Sequence, residues 1–217
     1  MQKMNRIHEF SKIGGTGLAS ESSDFSLPQV EPPFLPPIDN DEYKYTLVLD
    51  LDETLVHYYE TEDDAKCLIR PFVDEFLQLM SQHFELVIFT AALQDYANWV
   101  IDQIDPNGYI KYRLYRQHAI PCGSVYLKDL SRIGRDLRTT IIVDNVAENF
   151  ILQPDNGIFI TGWFDDINDT ALKELSPILV EISKKQVRDV RAALKMLREQ
   201  MIQQIQNGVE KPILRLE

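Results

Sequence analysis

Cysteine is scarce in this chain: Cys67 and Cys122 are the two it has in 217 residues. No disulfide framework is implied, and reduced thiols in an intracellular setting are the expectation. Basic residues are also short, with 22 Lys and Arg against 34 Asp and Glu and a net charge of −12. That deficit argues against nonspecific nucleic-acid binding, which needs clustered cations to displace counterions. A phosphorylated or acidic substrate would have to be drawn in by a local basic site or a metal. No apolar run approaches the ~18 residues that span a bilayer. The amino terminus, with Lys3, Arg6 and Lys12, lacks the Arg-rich, acid-poor length of an organelle presequence. The expectation is a soluble intracellular protein of the nucleus or cytoplasm, cytoskeletal assemblies included. What is plentiful is apolar side chain, 44% of residues, enough for one sizeable core with length left for tails.

The chain divides into three parts. Residues 1–43 read as an irregular arm, with Gly14-Gly15, a polar stretch from Ser20 to Ser26, then Pro28, Pro32, Pro33, Pro36 and Pro37. Such a segment cannot fold alone, and its proline-rich half favours an extended conformation. Its Phe25, Val30, Phe34, Leu35 and Ile38 suggest that it packs on its own domain or on a partner. Residues 44–198 alternate between strand and helix patterns. Thr46–Leu49 is a buried strand, and Arg70–Met80 a helix with a proline near its start. Phe84–Thr90 is a strand, and Leu93–Ile104 a helix. Short strands fill Tyr109–Leu127, and Thr139–Asn145 and Gly157–Ile160 are further strands. This order predicts an α/β domain: a three-layer open parallel sheet with a small β insertion and no large cap domain. From Pro177 onward, Val187, Val190, Leu194, Leu197 and Met201 recur at helical spacing, so one long helix is expected as far as Asn207-Gly208. Residues 199–217 form its extension and tail, where Met201, Ile202 and Ile205 could dock a protein partner.

The strand ends carry the chemistry. The first strand ends in Asp50-Leu51-Asp52, the second in Thr90 and a later one in Asp144-Asn145. In a parallel sheet all three endings fall on one edge, where α/β folds bind their ligands. Buried carboxylates are costly unless paired, hydrogen-bonded or metal-bound. Lys128, from Tyr126-Leu-Lys-Asp-Leu130, joins them from a connecting segment. A carboxylate nucleophile, a hydroxyl, a cation and metal ligands together are the inventory for phosphoryl transfer through an aspartyl-phosphate.

The strings DLDETLVH (50–57), FTA (89–91), LKDLSRIGRDL (127–137), VDN (143–145) and WFDD (163–166), in this order and spacing, resemble the small C-terminal-domain phosphatases. These are the FCP/SCP group of the haloacid-dehalogenase-like superfamily, and the similarity covers residues 44–198. The resemblance implies a Rossmann-like core, Mg²⁺ dependence and dephosphorylation of phosphoserine or phosphothreonine in proteins. By the same match, Asp50 is the nucleophile, and Asp52 the acid and base, with its main-chain carbonyl on the metal. Asn145 is a metal ligand, and Asp144 holds a metal-bound water. Thr90 and Lys128 contact the phosphoryl group, and Arg116 lies near the bound phosphopeptide. His57 is assigned to packing or a local hydrogen bond.

The stretch Tyr58–Ala65 is strongly acidic and reads as a solvated loop. Bordering the entrance, it would repel highly phosphorylated peptides, with Tyr58 and Tyr59 free to stack on substrate. Two other functions remain open at this point: a scaffold of the same fold within a larger complex, and a small-metabolite phosphatase.

Overall fold

The computed structural model describes residues 29–38, 44–60, 65–210 and 212–216. Five parallel strands form the sheet: β1 (Thr46–Leu49), β4 (Glu85–Phe89), β5 (Ile110–Leu114), β8 (Thr140–Asp144) and β9 (Gly157–Phe159), in the order β5-β4-β1-β8-β9. Two hairpins stand apart from it, β2 (Val56–Glu60) with β3 (Ala65–Ile69) and β6 (Ile120–Cys122) with β7 (Val125–Leu127). The helices are α1 (Val73–Ser81), α2 (Gln94–Ile104), α3 (Ala171–Lys184) and α4 (Val190–Gln206).

Chain order explains which face each element covers. From β1 the chain steps through α1 to β4 and through α2 to β5, so right-handed crossovers put both helices on one face. It then returns past β1 to β8 and β9, and those connections fall on the opposite face. Side chains of a strand alternate between faces, and the core follows that alternation. Leu47, Leu49, Leu86, Ile88, Ile141 and Val143 pack with the four helices. Val48, Val87, Phe89 and Ile142 pack with Leu130, Ile133, Phe150 and, from the amino-terminal segment, Leu35. The reversal occurs beside β1. The crevice at its carboxyl end is the topological switch point, the place where open α/β sheets bind ligands.

Residues 29–38 lie along the second face. Main-chain bonds run from Phe34 to Arg132 (3.0 Å), from Leu35 to Ile133 (3.1 Å) and from Val30 to Gln117 (3.2 Å). Arg135 fixes the passage. Its guanidinium grips Glu85 with two bonds of 2.7 and 2.8 Å and also donates to the Pro36 carbonyl. Gly134, with φ +84°, lets the arm come close, because a methyl group there would lie 2.8 Å from Pro33 Cβ. Phe25, expected to help dock the arm, lies outside the described residues.

Three local readings change. Tyr58–Ala65 is not simply a loop. Residues 56–60 and 65–69 pair antiparallel in register from Val56–Ile69 to Glu60–Ala65, and residues 61–64 lie outside the described residues. Charge masked an alternation in which His57 and Tyr59 share one face and Tyr58 takes the other. Helix α1 begins at Val73 rather than Arg70, since Phe72 sits at φ +69° and breaks the helical path before it. The long carboxyl-terminal helix is two helices. Gln186 at φ +49° ends the first run, and the Asp189 side chain accepts from the Arg191 N–H to start the second. Tyr45 and Lys44 donate to the carbonyls of Val187 and Gln186 and pin the break.

After α4 the chain turns back at Gly208 and lies against it. Gln204 brackets Ile213 with two amide bonds of 2.8 Å, and Gln200 brackets Arg215 at 3.0 and 3.1 Å. Leu216 is thereby buried in the helical core.

Candidate active site

Asp50 follows directly on β1, and its N–H donates to Val143 O of the neighbouring strand at 3.0 Å. Its side chain is almost wholly buried. Lys128, with no exposed surface, donates to Asp50 Oδ1 at 2.5 Å and to Asp144 Oδ2 at 2.6 Å. One ammonium therefore bridges the two strand ends, β1 and β8. Lys128 reaches this point because its own N–H is anchored on Asn149 O at 2.6 Å. Asn149 donates in turn to both oxygens of Asp144, and the Val146 N–H adds a third contact at 2.8 Å. Asp144 is thus saturated with donors.

The second oxygen of Asp50 faces the other way. Thr54 Oγ1 donates to Asp50 Oδ2 at 2.9 Å and lies 3.4 Å from Asn145 Oδ1. Asn145 and Asp50 thus present oxygens around one hydroxyl. The tight turn that brings Thr54 back is closed by Leu51 O, which accepts from the Leu55 N–H at 2.9 Å.

Asp52 is held by a residue that nothing in the sequence pattern singles out. Tyr96, in the first turns of α2, donates its hydroxyl to Asp52 Oδ1 at 2.5 Å. Thr90, at the end of β4, accepts from the Ala92 N–H at 3.0 Å and also supports Asp52. Arg116 lies two residues beyond β5, after Tyr115. Its Nε donates to Ala91 O at 2.6 Å, and its guanidinium covers the Tyr126 ring at 5.1 Å. That tether sets it next to the turn that carries Thr90.

Burial dominates the protonation equilibria. It pushes the Asp50 carboxyl up to about 7, with the Asp144 charge adding to it and Lys128 opposing it. Burial likewise lifts Asp52 to about 6, against the donors Tyr96 and Thr90. The Tyr96 phenol is raised by burial and by the Asp52 charge, so it stays a hydrogen-bond donor. Burial disfavours the Lys128 ammonium, but Asp50 and Asp144 outweigh it and raise its pKa. Lys128 is a fixed cation. Ionised together, Asp50, Asp52 and Asp144 set three negative charges around one ammonium in a site with little water. That surplus is costly unless a further cation shares it.

The structure therefore brings Asp50, Asp52, Thr90, Lys128, Asp144 and Asn145 to one crevice, with Arg116 at its border. It adds Thr54, Tyr96 and Asn149. Thr54 lies inside the DLDET string, so its place was readable. Tyr96 and Asn149 look in sequence like ordinary helix and turn residues.

Comparison with known proteins shows the family. The profile of the NLI interacting factor-like phosphatases matches residues 45–191. The chain belongs to this family. Among its relatives, CTD small phosphatase-like protein 2 of Dictyostelium discoideum is 44% identical over 176 residues, which are 74% of this chain and 31% of that protein. The human carboxy-terminal domain RNA polymerase II polypeptide A small phosphatase 2 is 38% identical over 207 residues, 88% of this chain and 70% of that one. The chain spans 31% and 53% of the lengths of two Dictyostelium relatives. In structure it is similar to Fcp1, an essential RNA polymerase II CTD phosphatase. The TM-score is 0.54 at 18% identity, over 80% of this chain and 68% of that one, a likeness of fold. In this phosphatase family member the insertion between β1 and α1 is the single hairpin β2–β3.

Proposed function

We propose that the protein is a Mg²⁺-dependent phosphoserine and phosphothreonine phosphatase that works through an aspartyl-phosphate on Asp50. The observation that carries this reading is the buried ammonium of Lys128 between Asp50 and Asp144, with Asp52 two residues on. No structural need accounts for that much charge at a strand end.

The donor chemistry fits Mg²⁺. On offer are one Asp50 oxygen, the Asn145 side-chain oxygen and the Asp52 main-chain carbonyl. Among the described residues no three His, Cys, Asp or Glu side chains group as metal ligands. An all-oxygen set completed by water suits a hard octahedral cation better than zinc. Asp144, held by Lys128, would position a water bound to the metal. When bound, Mg²⁺ would share the surplus negative charge, keep Asp50 ionised and polarise the phosphoryl oxygens.

The protein's own groups do the rest. The Asp50 oxygen attacks phosphorus while the bond to the seryl or threonyl oxygen breaks. Asp52, lifted by burial, gives that oxygen its proton. Tyr96 holds the Asp52 carboxyl in line. A water then attacks the phosphorus of the acylphosphate and yields its proton to Asp52. The Asp50–phosphorus bond breaks, and inorganic phosphate leaves. Lys128 and Thr90, both buried and fixed in place, meet the charge on the equatorial oxygens. Arg116, beside Thr90, contacts the phosphorylated segment of the protein substrate.

Hydrolysis of an aryl phosphate tests the reading. Wild type with Mg²⁺ turns over. Wild type in EDTA and Asp50→Asn with Mg²⁺ each lose at least about a thousandfold in kcat, since the nucleophile acts as part of a unit. Equal and negligible rates in all three would end the enzyme reading.

A further inference from the structure

The amino-terminal segment does more than fill a sheet face. Leu35 is the side chain it buries, at 3% exposed. Its other contacts go to the residues beside Arg116 and Thr90. The Val30 N–H donates to Gln117 O at 3.2 Å, and the Val30 carbonyl accepts from Arg132 Nη2 at 3.3 Å. The Phe34 ring stands edge-on to His118 at 5.1 Å and to Phe89 at 6.4 Å, with the Arg132 guanidinium over it at 5.0 Å. Gln117 and His118 directly follow Arg116, and Phe89 directly precedes Thr90. One aromatic ring therefore backs both turns.

The two turns are tied together. Arg116–His118 is a single 3-10 turn, closed by the Tyr115 N–H on His118 Nδ1 at 3.0 Å and the His118 N–H on Tyr115 O at 2.8 Å. Arg116 joins it to the end of β4, from its N–H to Ala92 O at 3.0 Å and from Nε to Ala91 O at 2.6 Å. A turn of three residues has no core of its own, so its place depends on what it packs against.

We propose that Phe34 is a positioning residue for substrate binding: with Val30 it holds the Arg116–His118 turn so that Arg116 meets the phosphorylated segment of a protein substrate. The inference rests on the phosphatase reading and on the place of Arg116 in it. Arginine has many rotamers to lose, and a side chain ordered before the substrate arrives loses fewer on binding. Without the Phe34 ring, His118 loses its edge contact, and Arg132, which holds Val30, loses the ring beneath it. The turn then shifts with Arg116 on it, and a misplacement of about 1 Å can cost about a hundredfold in rate. A small aryl phosphate has no chain beyond its phosphoryl group and makes little use of Arg116. A phosphoserine peptide depends on it.

The test is the ratio of kcat/KM for a singly phosphorylated serine peptide to that for an aryl phosphate. Full-length wild type is compared with Phe34→Ala, Phe34→Tyr, Arg116→Ala and the Phe34→Ala/Arg116→Ala pair. The ratio falls about tenfold in Phe34→Ala, through the KM of the peptide, and is retained in Phe34→Tyr, which keeps the ring. Arg116→Ala lowers it at least as far. The pair lowers it no further than Arg116→Ala alone, because residues that act through one contact are not additive. A general loss of stability lowers both substrates alike and cancels in the ratio. Leu197→Ala, a cavity in the core of the other sheet face, is the control and keeps the ratio. An unchanged ratio in Phe34→Ala, or losses that add in the pair, overturns the positioning role and leaves the phosphatase standing. An unchanged ratio in Arg116→Ala overturns it as well, since Arg116 then does not meet the peptide. If wild type turns over neither substrate, the phosphatase reading fails, and fluorescence anisotropy with the same peptide decides the rest. A weaker Kd in both Phe34→Ala and Arg116→Ala supports the positioning role, and an unchanged Kd in either overturns it.

Discussion

Lys128→Ala lowers kcat for an aryl phosphate by about 10²- to 10³-fold, the typical cost of one preorganised charge donor at a reacting oxyanion. The reason is structural as well as electrostatic. Lys128 is fully buried and spans Asp50 and Asp144 at 2.5 and 2.6 Å. Without it, two carboxylates confront each other in a site of low polarity, and one takes up a proton. Asp50 then loses the donor that orients it. Lys128→Arg fares little better, because a planar fork cannot fill the place of a compact ammonium between two converging oxygens. Steady-state rates at saturating Mg²⁺ check this. Turnover near wild type in Lys128→Ala would remove Lys128 from the phosphoryl site.

Arg70→Ala destabilises the fold by about 3–5 kcal/mol, the cost of leaving a buried pair with one partner missing. For a chain of this size that lowers Tm by about 10 °C. Arg70 is 1% exposed and joins three segments that are distant in sequence. It donates to Thr54 O at 3.0 Å, to Thr161 O at 3.1 Å and to both oxygens of Asp169 at 2.8 and 2.9 Å. Its hydrogen bonds hold the Asp169 carboxyl below its ordinary pKa. A depressed folded-state pKa stabilises the protein above the unfolded value near 4 and loses that contribution as pH falls through the folded value. The gap between wild type and Arg70→Ala is therefore full at pH 7 and narrows toward pH 3. Urea unfolding at both values measures it. A gap that widens in acid would show that Asp169 is not the partner that matters.

The sheet and its reactive edge could be read from sequence for one reason. β1, β4 and β8 are buried on both faces, so their apolar runs are uninterrupted and the polar residues that end them stand out. Asp50, Thr90 and Asp144-Asn145 were visible in that way, and Lys128 and Asn145 followed from the order of the strings. What sequence concealed depends on contacts between distant segments. Tyr96 is one aromatic among several on an amphipathic helix until α2 is placed over Asp52. Arg70 reads as the start of a helix until Thr54, Thr161 and Asp169 converge on it. The β2–β3 hairpin was hidden by acidic charge in Tyr58–Ala65, and the break between α3 and α4 by apolar spacing that continues across Val187. Leu35 is among the apolar residues that mark the arm for packing, but nothing local says which surface it meets. Its burial comes from Arg135, Gly134 and Ile133, about a hundred residues downstream.

The covalent step on Asp50 is the centre of the account, and trapping it is the most direct measurement. The enzyme is quenched in acid during turnover of a phosphoserine peptide with Mg²⁺, digested, and mapped by mass spectrometry. The account predicts a phosphoryl group on the fragment containing Asp50, located on that carboxyl, lost on warming at neutral pH and missing from Asp50→Asn. Steady turnover with Asp50 unmodified, or with the phosphoryl group on another residue, would contradict it.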